Sequence, residues 1–171
     1  LPWPERSDGQ GFSLILTDPY ALPDHSLPAS WSAGILPGGT PGQIDEGVSY
    51  QAWAEINEVI GSPNGDPDRD GITNLLEFAL NGNPHLADST ILPFLEVNRN
   101  VLTLSFNRPA AAMGITYITE FSTDLINWSS DQAALVSSEI SPEGHLSETW
   151  RYLPSIQDQS GIFARLRVTT N

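Results

Sequence analysis

The chain has 171 residues, 39% of them hydrophobic and five of them Trp, which is enough apolar material for packed cores rather than disorder. Against 21 Asp and Glu stand seven Arg and no Lys, and the net charge of −14 repels phosphate backbones and anionic lipid surfaces, disfavouring nucleic-acid and membrane partners. With no Cys there are no disulfides or thiolate metal sites, and no apolar run approaches the ~20 residues that span a bilayer.

Residues 1–47 are rich in Gly and Pro. Leu1-Pro2-Trp3-Pro4 has neither the basic start nor the apolar core of a signal peptide, and is expected to continue a longer protein whose export signal lies upstream. Ser7-Asp8-Gly9-Gln10-Gly11 supplies turn chemistry before one strand at Phe12–Thr17. The prolines at 19, 23, 28, 37 and 41 predict an extended, wrapping loop over Asp18–Gly42. One strand and a loop cannot close a core, so this segment is expected to lean on upstream strands or on the helices that follow.

Residues 48–86 carry the helical signal. Trp53, Ile56 and Ile60 recur at spacings of three and four, predicting one buried helical face that Gly61-Ser62-Pro63-Asn64-Gly65 terminates. A second helix is expected from Thr73–Asn74, where Asn74 followed by Glu77 resembles a capping box, to Asn81-Gly82-Asn83-Pro84. From residue 90 onward the period changes to two. Strands are predicted at Phe94–Val97, Val101–Phe106, Ile115–Phe121, Ala133–Ser137, Glu148–Leu153 and Ile162–Val168, with Asn98-Arg99-Asn100 as a hairpin turn. About six short strands with turns between them argue for a small antiparallel β-sandwich.

Between the two helical segments the sequence reads Asp66-Pro67-Asp68-Arg69-Asp70-Gly71-Ile72-Thr73-Asn74-Leu75-Leu76-Glu77, the full D-x-D-x-D-G-x5-E pattern of an EF-hand-like calcium loop. Alternate residues of a tightly wound loop turn their carboxylates inward, and Gly71 permits the sharp turn. The Ile72 carbonyl would supply position seven, Asn74 position nine, and Glu77 would close the site with both oxygens. Oxygen-only donors in this number favour Ca2+ over zinc, copper or magnesium. An isolated Asp-x-Asp pair is better explained as a solvated acidic turn before a helix, but a complete match between two helical segments is not.

These residues resemble the single calcium-binding repeat, akin to thrombospondin type 3 and dockerin loops, near the C-termini of large exported bacterial proteins. The resemblance implies ligands at Asp66, Asp68, Asp70, Asn74 and Glu77 and a secreted or cell-surface location. Leu1–Gly9, Gly11-Phe12-Ser13-Leu14 and Gly38-Gly39-Thr40-Pro41-Gly42 resemble the closing strands of a lamin-tail, immunoglobulin-like domain. Thr116–Leu125 with Trp128, and Phe163–Val168, are similar to fibronectin-III-like C-terminal modules of such proteins, which often follow CotH-like kinase domains. The expected fold is therefore mainly β with a short helix–loop–helix: a partial Ig-like segment over 1–47, helix–calcium loop–helix over 48–86, and a fibronectin-III-like sandwich over 90–171.

Other constellations carry less. His25, His85 and His145 have no metal-ligand spacing, and no G-x-S-x-G elbow or P-loop is present. Asp24-His25-Ser26 has triad residue types, but sequence neighbours cannot point at one another as a triad requires. The five Trp are expected in cores, with sugar stacking on Trp128 or Trp150 as the alternative. The expected function is a non-enzymatic structural module that calcium rigidifies, with upstream domains of the same chain as its partners. The alternatives are a module binding cell-surface polysaccharide, or the non-catalytic tail of an exported enzyme.

Overall fold

The computed structural model describes residues 3–16, 23–37, 39, 47–110, 112–141, 144–157 and 159–170. Among these residues the chain is mainly β, with several antiparallel sheets and two α-helices. In the N-terminal part, β1 (Phe12–Leu16) pairs antiparallel with β2 (Trp31–Pro37), Leu16 opposite Trp31. β2 corrects the expectation of a wrapping loop. Its prolines stand at the rim: Pro28 opens a 3-10 turn, Pro28–Ser30, and Pro37 is the last strand residue, so neither interrupts the ladder. Thr17 of the expected strand and residues 18–22, 38 and 40–42 of the expected loop lie outside the described residues.

β3 (Val48–Ser49) leads directly into α1 (Tyr50–Ile56), whose first turn is capped by Ser49 Oγ accepting from the Ala52 amide at 3.2 Å. The predicted face Trp53–Ile56–Ile60 does not form. Asn57 ends α1 by donating its Nδ2 to the Trp53 carbonyl, and Glu58 turns the chain away at φ 50°. Ile56 and Ile60 are consequently exposed. Trp53 alone turns inward, meeting Phe78 of α2 (Asn74–Leu80) at 5.5 Å between ring centroids. α2 closes as predicted, with Asn81 left-handed at φ 62° and the Gly82 amide bonded to the Glu77 carbonyl. A Cβ at Gly82 would stand 3.1 Å from Glu77 Cα and 2.7 Å from Ile91 Cδ1, so a larger residue there would have to push the Ile91 side chain aside and crowd α2.

The remaining strands are β4 (Phe94–Asn98), β5 (Val101–Pro109), β6 (Ala112–Met113), β7 (Ile115–Ser122), β8 (Ala133–Ile140), β9 (His145–Tyr152) and β10 (Phe163–Thr170). They form an antiparallel sheet in the order β4-β5-β9-β8 and an antiparallel ribbon of β7 and β10. Arg99 and Asn100 turn the β4–β5 hairpin with φ of 46° and 66°, the two positive values a tight two-residue turn demands. Leu102, Leu104 and Phe106 alternate along β5 and are buried. Leu102 meets Phe121 of the ribbon and Tyr152 of β9 in a core that Ala133, Ile156, Ile162 and Ala164 flank. Phe106 stacks on Tyr117 at 6.1 Å.

Two buried carboxylates are neutralised in place. Glu148 accepts from Arg108 at 2.7 Å and from the Trp150 indole at 2.9 Å, and Glu120 is clasped by Arg165 and Arg167. Among the described residues, a strand pair and a hydrogen bond help join the helical segment to this β region. β3 pairs in parallel with β6, and the Tyr117 hydroxyl donates to the Ala79 carbonyl of α2 at 2.8 Å.

Candidate metal centre

Loop 66–77 is shaped by its own side chains. Asp66 accepts from the Arg69 amide through Oδ1 at 2.8 Å and from the Gly71 amide through Oδ2 at 3.0 Å. Asp68 accepts from the Asp70 amide at 3.4 Å, and Asp70 from the Ile72 amide at 2.7 Å. Each carboxylate thus winds the loop by bonding the backbone ahead of it. Gly71 supplies a φ of 90°, and Arg69 takes the left-handed conformation at 64°. One carboxylate oxygen each of Asp66, Asp68 and Asp70 lies within 4.8 Å of the other two.

Glu77 does not belong to that close group, but it faces it. Glu77 is 1% exposed on α2, and burial followed by the charges of Asp68, Asp70 and Asp66 pushes its carboxyl pKa up to about 7. Burial raises Asp68 as well, with the Asp70 and Asp66 charges adding to it. Asn74, wholly buried, is not the cap expected at Asn74–Glu77. The N-cap is Thr73, without a side-chain bond, and Asn74 points away from its own helix. Its Nδ2 donates to the Ser62 carbonyl at 2.9 Å and the Ile60 carbonyl at 3.4 Å. Anchored through nitrogen, the amide leaves its Oδ1 buried and unbonded. Ile72, whose carbonyl is the expected position-seven donor, is 2% exposed.

Three oxygens therefore share one condition. Asp68 Oδ2, Asn74 Oδ1 and Glu77 Oε2 are buried without a hydrogen-bond partner among the described residues. Buried acceptors without partners are uncommon, and each costs on the order of 1–3 kcal/mol. Three acceptors beside two further carboxylates make an oxygen-only donor set, the chemistry of a hard divalent cation.

Sequence reasoning missed three features around this loop. The Asp88 amide, 18 residues on, donates to Asp70 Oδ2 at 3.0 Å, and His85 Nε2 meets the Asn57 carbonyl at 2.6 Å. Both contacts join positions with no shared motif, so no local pattern announces them. The third is Tyr50, whose buried hydroxyl feels the Glu77 charge. Outside the loop, Trp128 lies under the Arg165 guanidinium at 4.2 Å and Trp150 bonds Glu148, so both are engaged in packing. Asp24 caps its own turn through the Ser26 amide and hydroxyl, while His25 rests edge-on against Trp31. No protein-family model, curated protein or solved structure matches the chain.

Proposed function

We propose that this chain is a calcium-stabilised structural module of a secreted or cell-surface protein. Asp66, Asp68, Asp70, Asn74, Glu77 and the Ile72 carbonyl form an EF-hand-like ligand set for Ca2+. The observation that carries the reading is the trio of buried, unpartnered oxygens on Asp68, Asn74 and Glu77 beside the aspartate group. A cation satisfies all three at once and cancels the repulsion that raises the Glu77 pKa.

The consequence is rigidity rather than signalling. The Asp70–Asp88 contact, the Asn74–Ser62 contact and the Tyr117–Ala79 contact all originate on the loop or its exit helix. Ordering the loop therefore orders both of its flanks. With a dissociation constant of ~10 μM and free calcium of ~1 mM, outside the cell, linkage contributes about 2.7 kcal/mol to the folded state. A lamin-tail-like beginning and a fibronectin-III-like end fit the same reading, with the helical segment as the stiffened joint between them. Calorimetry and thermal melts on chelator-stripped protein test it. Calcium should bind with one-site stoichiometry and raise the melting temperature, and neither heat nor shift at millimolar calcium refutes the proposal.

A further inference from the structure

Tyr50 is the first residue of α1, and its ring lies edge-on against Phe78 at 5.9 Å and tilted against Trp53 at 5.8 Å. Phe78 follows Glu77 on α2, so this packing brings the phenol beside the exit helix of the acidic loop. At its tip the hydroxyl is buried with no partner among the described residues, as is Glu77 Oε2. Phenylalanine would give the same ring contacts without burying an unbonded hydroxyl, so packing alone does not account for the oxygen. A phenol is a donor, and a carboxylate bound to a metal keeps lone pairs free to accept.

We infer that Tyr50 is a positioning residue of the metal site: its hydroxyl donates to the Glu77 carboxylate when that carboxylate turns to ligate calcium. The inference rests on the calcium reading and adds α1 to it. Ligating groups are commonly oriented by such outer hydrogen bonds, whose loss lowers metal affinity roughly 10- to 100-fold. Calcium occupancy would then fix α1 and α2 together through one hydrogen bond, independently of the aromatic contacts between them. Burial and the Glu77 charge both raise the Tyr50 pKa, so the phenol remains protonated and able to donate.

The test compares Tyr50→Phe with wild-type protein in two measurements, calcium calorimetry and melting in chelator. The expected result is calcium affinity at least tenfold weaker in Tyr50→Phe, with a metal-free melting temperature equal to or above wild type. Trp53→Phe, which trims the same aromatic cluster without touching the hydroxyl, should lower the melting temperature and leave affinity within about twofold. Unchanged affinity in Tyr50→Phe overturns the inference while leaving the calcium site standing. A metal-free melting temperature that falls as far in Tyr50→Phe as in Trp53→Phe, with equal affinity losses, assigns Tyr50 to packing alone. Absence of calcium binding in the wild-type protein overturns both readings together.

Discussion

Glu77 gives the metal-free protein an inverted response to pH. Its carboxyl has an ordinary value of 4.5 and stands at about 7 in the folded chain. Because the folded state holds this proton more tightly than the unfolded state, the associated stability is present in full below pH 4.5. It is lost as pH rises through 7, where the ionised group is buried among three aspartates. A difference of that size corresponds to at most about 3 kcal/mol, reduced to roughly 2 kcal/mol once the loop relaxes and water enters. For a chain of this length, about 2 kcal/mol is roughly 4–8 °C in melting temperature. Glu77→Gln removes the titrating group while preserving shape. In chelator at pH 8 the variant should melt about 4–8 °C above wild type, and its melting temperature should vary little between pH 5 and 8 apart from contributions shared with wild type. In calcium the order should reverse, because wild type gains the metal and the variant does not. The assay is a set of thermal melts at five pH values, with and without chelator. A Glu77→Gln protein less stable than wild type in chelator at pH 8 would show that Glu77 already has a partner in the metal-free fold, refuting the argument.

Asp70→Ala should abolish the calcium-dependent rise, about 5–10 °C for a linkage of ~2.7 kcal/mol, as read by the same melts. Asp124→Ala should lower the melting baseline and leave that calcium increment intact, since Asp124 holds the amides of Asn127 and Ile126, outside loop 66–77. Those bonds hold the Asp124 pKa below its ordinary 3.8, so its contribution is present above that value and fades as pH falls below it; the Asp124→Ala deficit should shrink in acid melts. Arg108→Met strands the buried Glu148 carboxylate and should cost about 3–5 kcal/mol in urea unfolding at pH 7. Phe121→Ala, at the centre of the sheet core, should cost a similar ~3–5 kcal/mol by the same measurement.

Where local chemistry decides the outcome, the sequence was readable. Leu102, Leu104 and Phe106 alternate because one face of β5 is covered, and the Arg99-Asn100 turn and the Asn81-Gly82 stop follow from backbone preferences of two residues each. The grouping of Asp66, Asp68 and Asp70 was legible for the same reason: each carboxylate bonds an amide two to five residues ahead. What failed was decided by side-chain and backbone contacts that a periodic pattern does not carry. Ile60 fits a helical period, yet the Asn57 side chain captures the Trp53 carbonyl and ends the helix first. Asn74 fits a cap, yet the Ser62 carbonyl, 12 residues away, takes its amide. The β3–β6 pair is two residues long on each side, too short to leave a periodic trace.

That short pair has a mechanical consequence. β3 and β6 run parallel, so tension drawn from residue 47 toward residue 114 pulls the two strands past each other in shear. The intervening residues, acidic loop included, form a bight that carries no load until those backbone bonds give way. On the calcium reading proposed above, an ion held in the loop would be sheltered first and would become the second brake on extension.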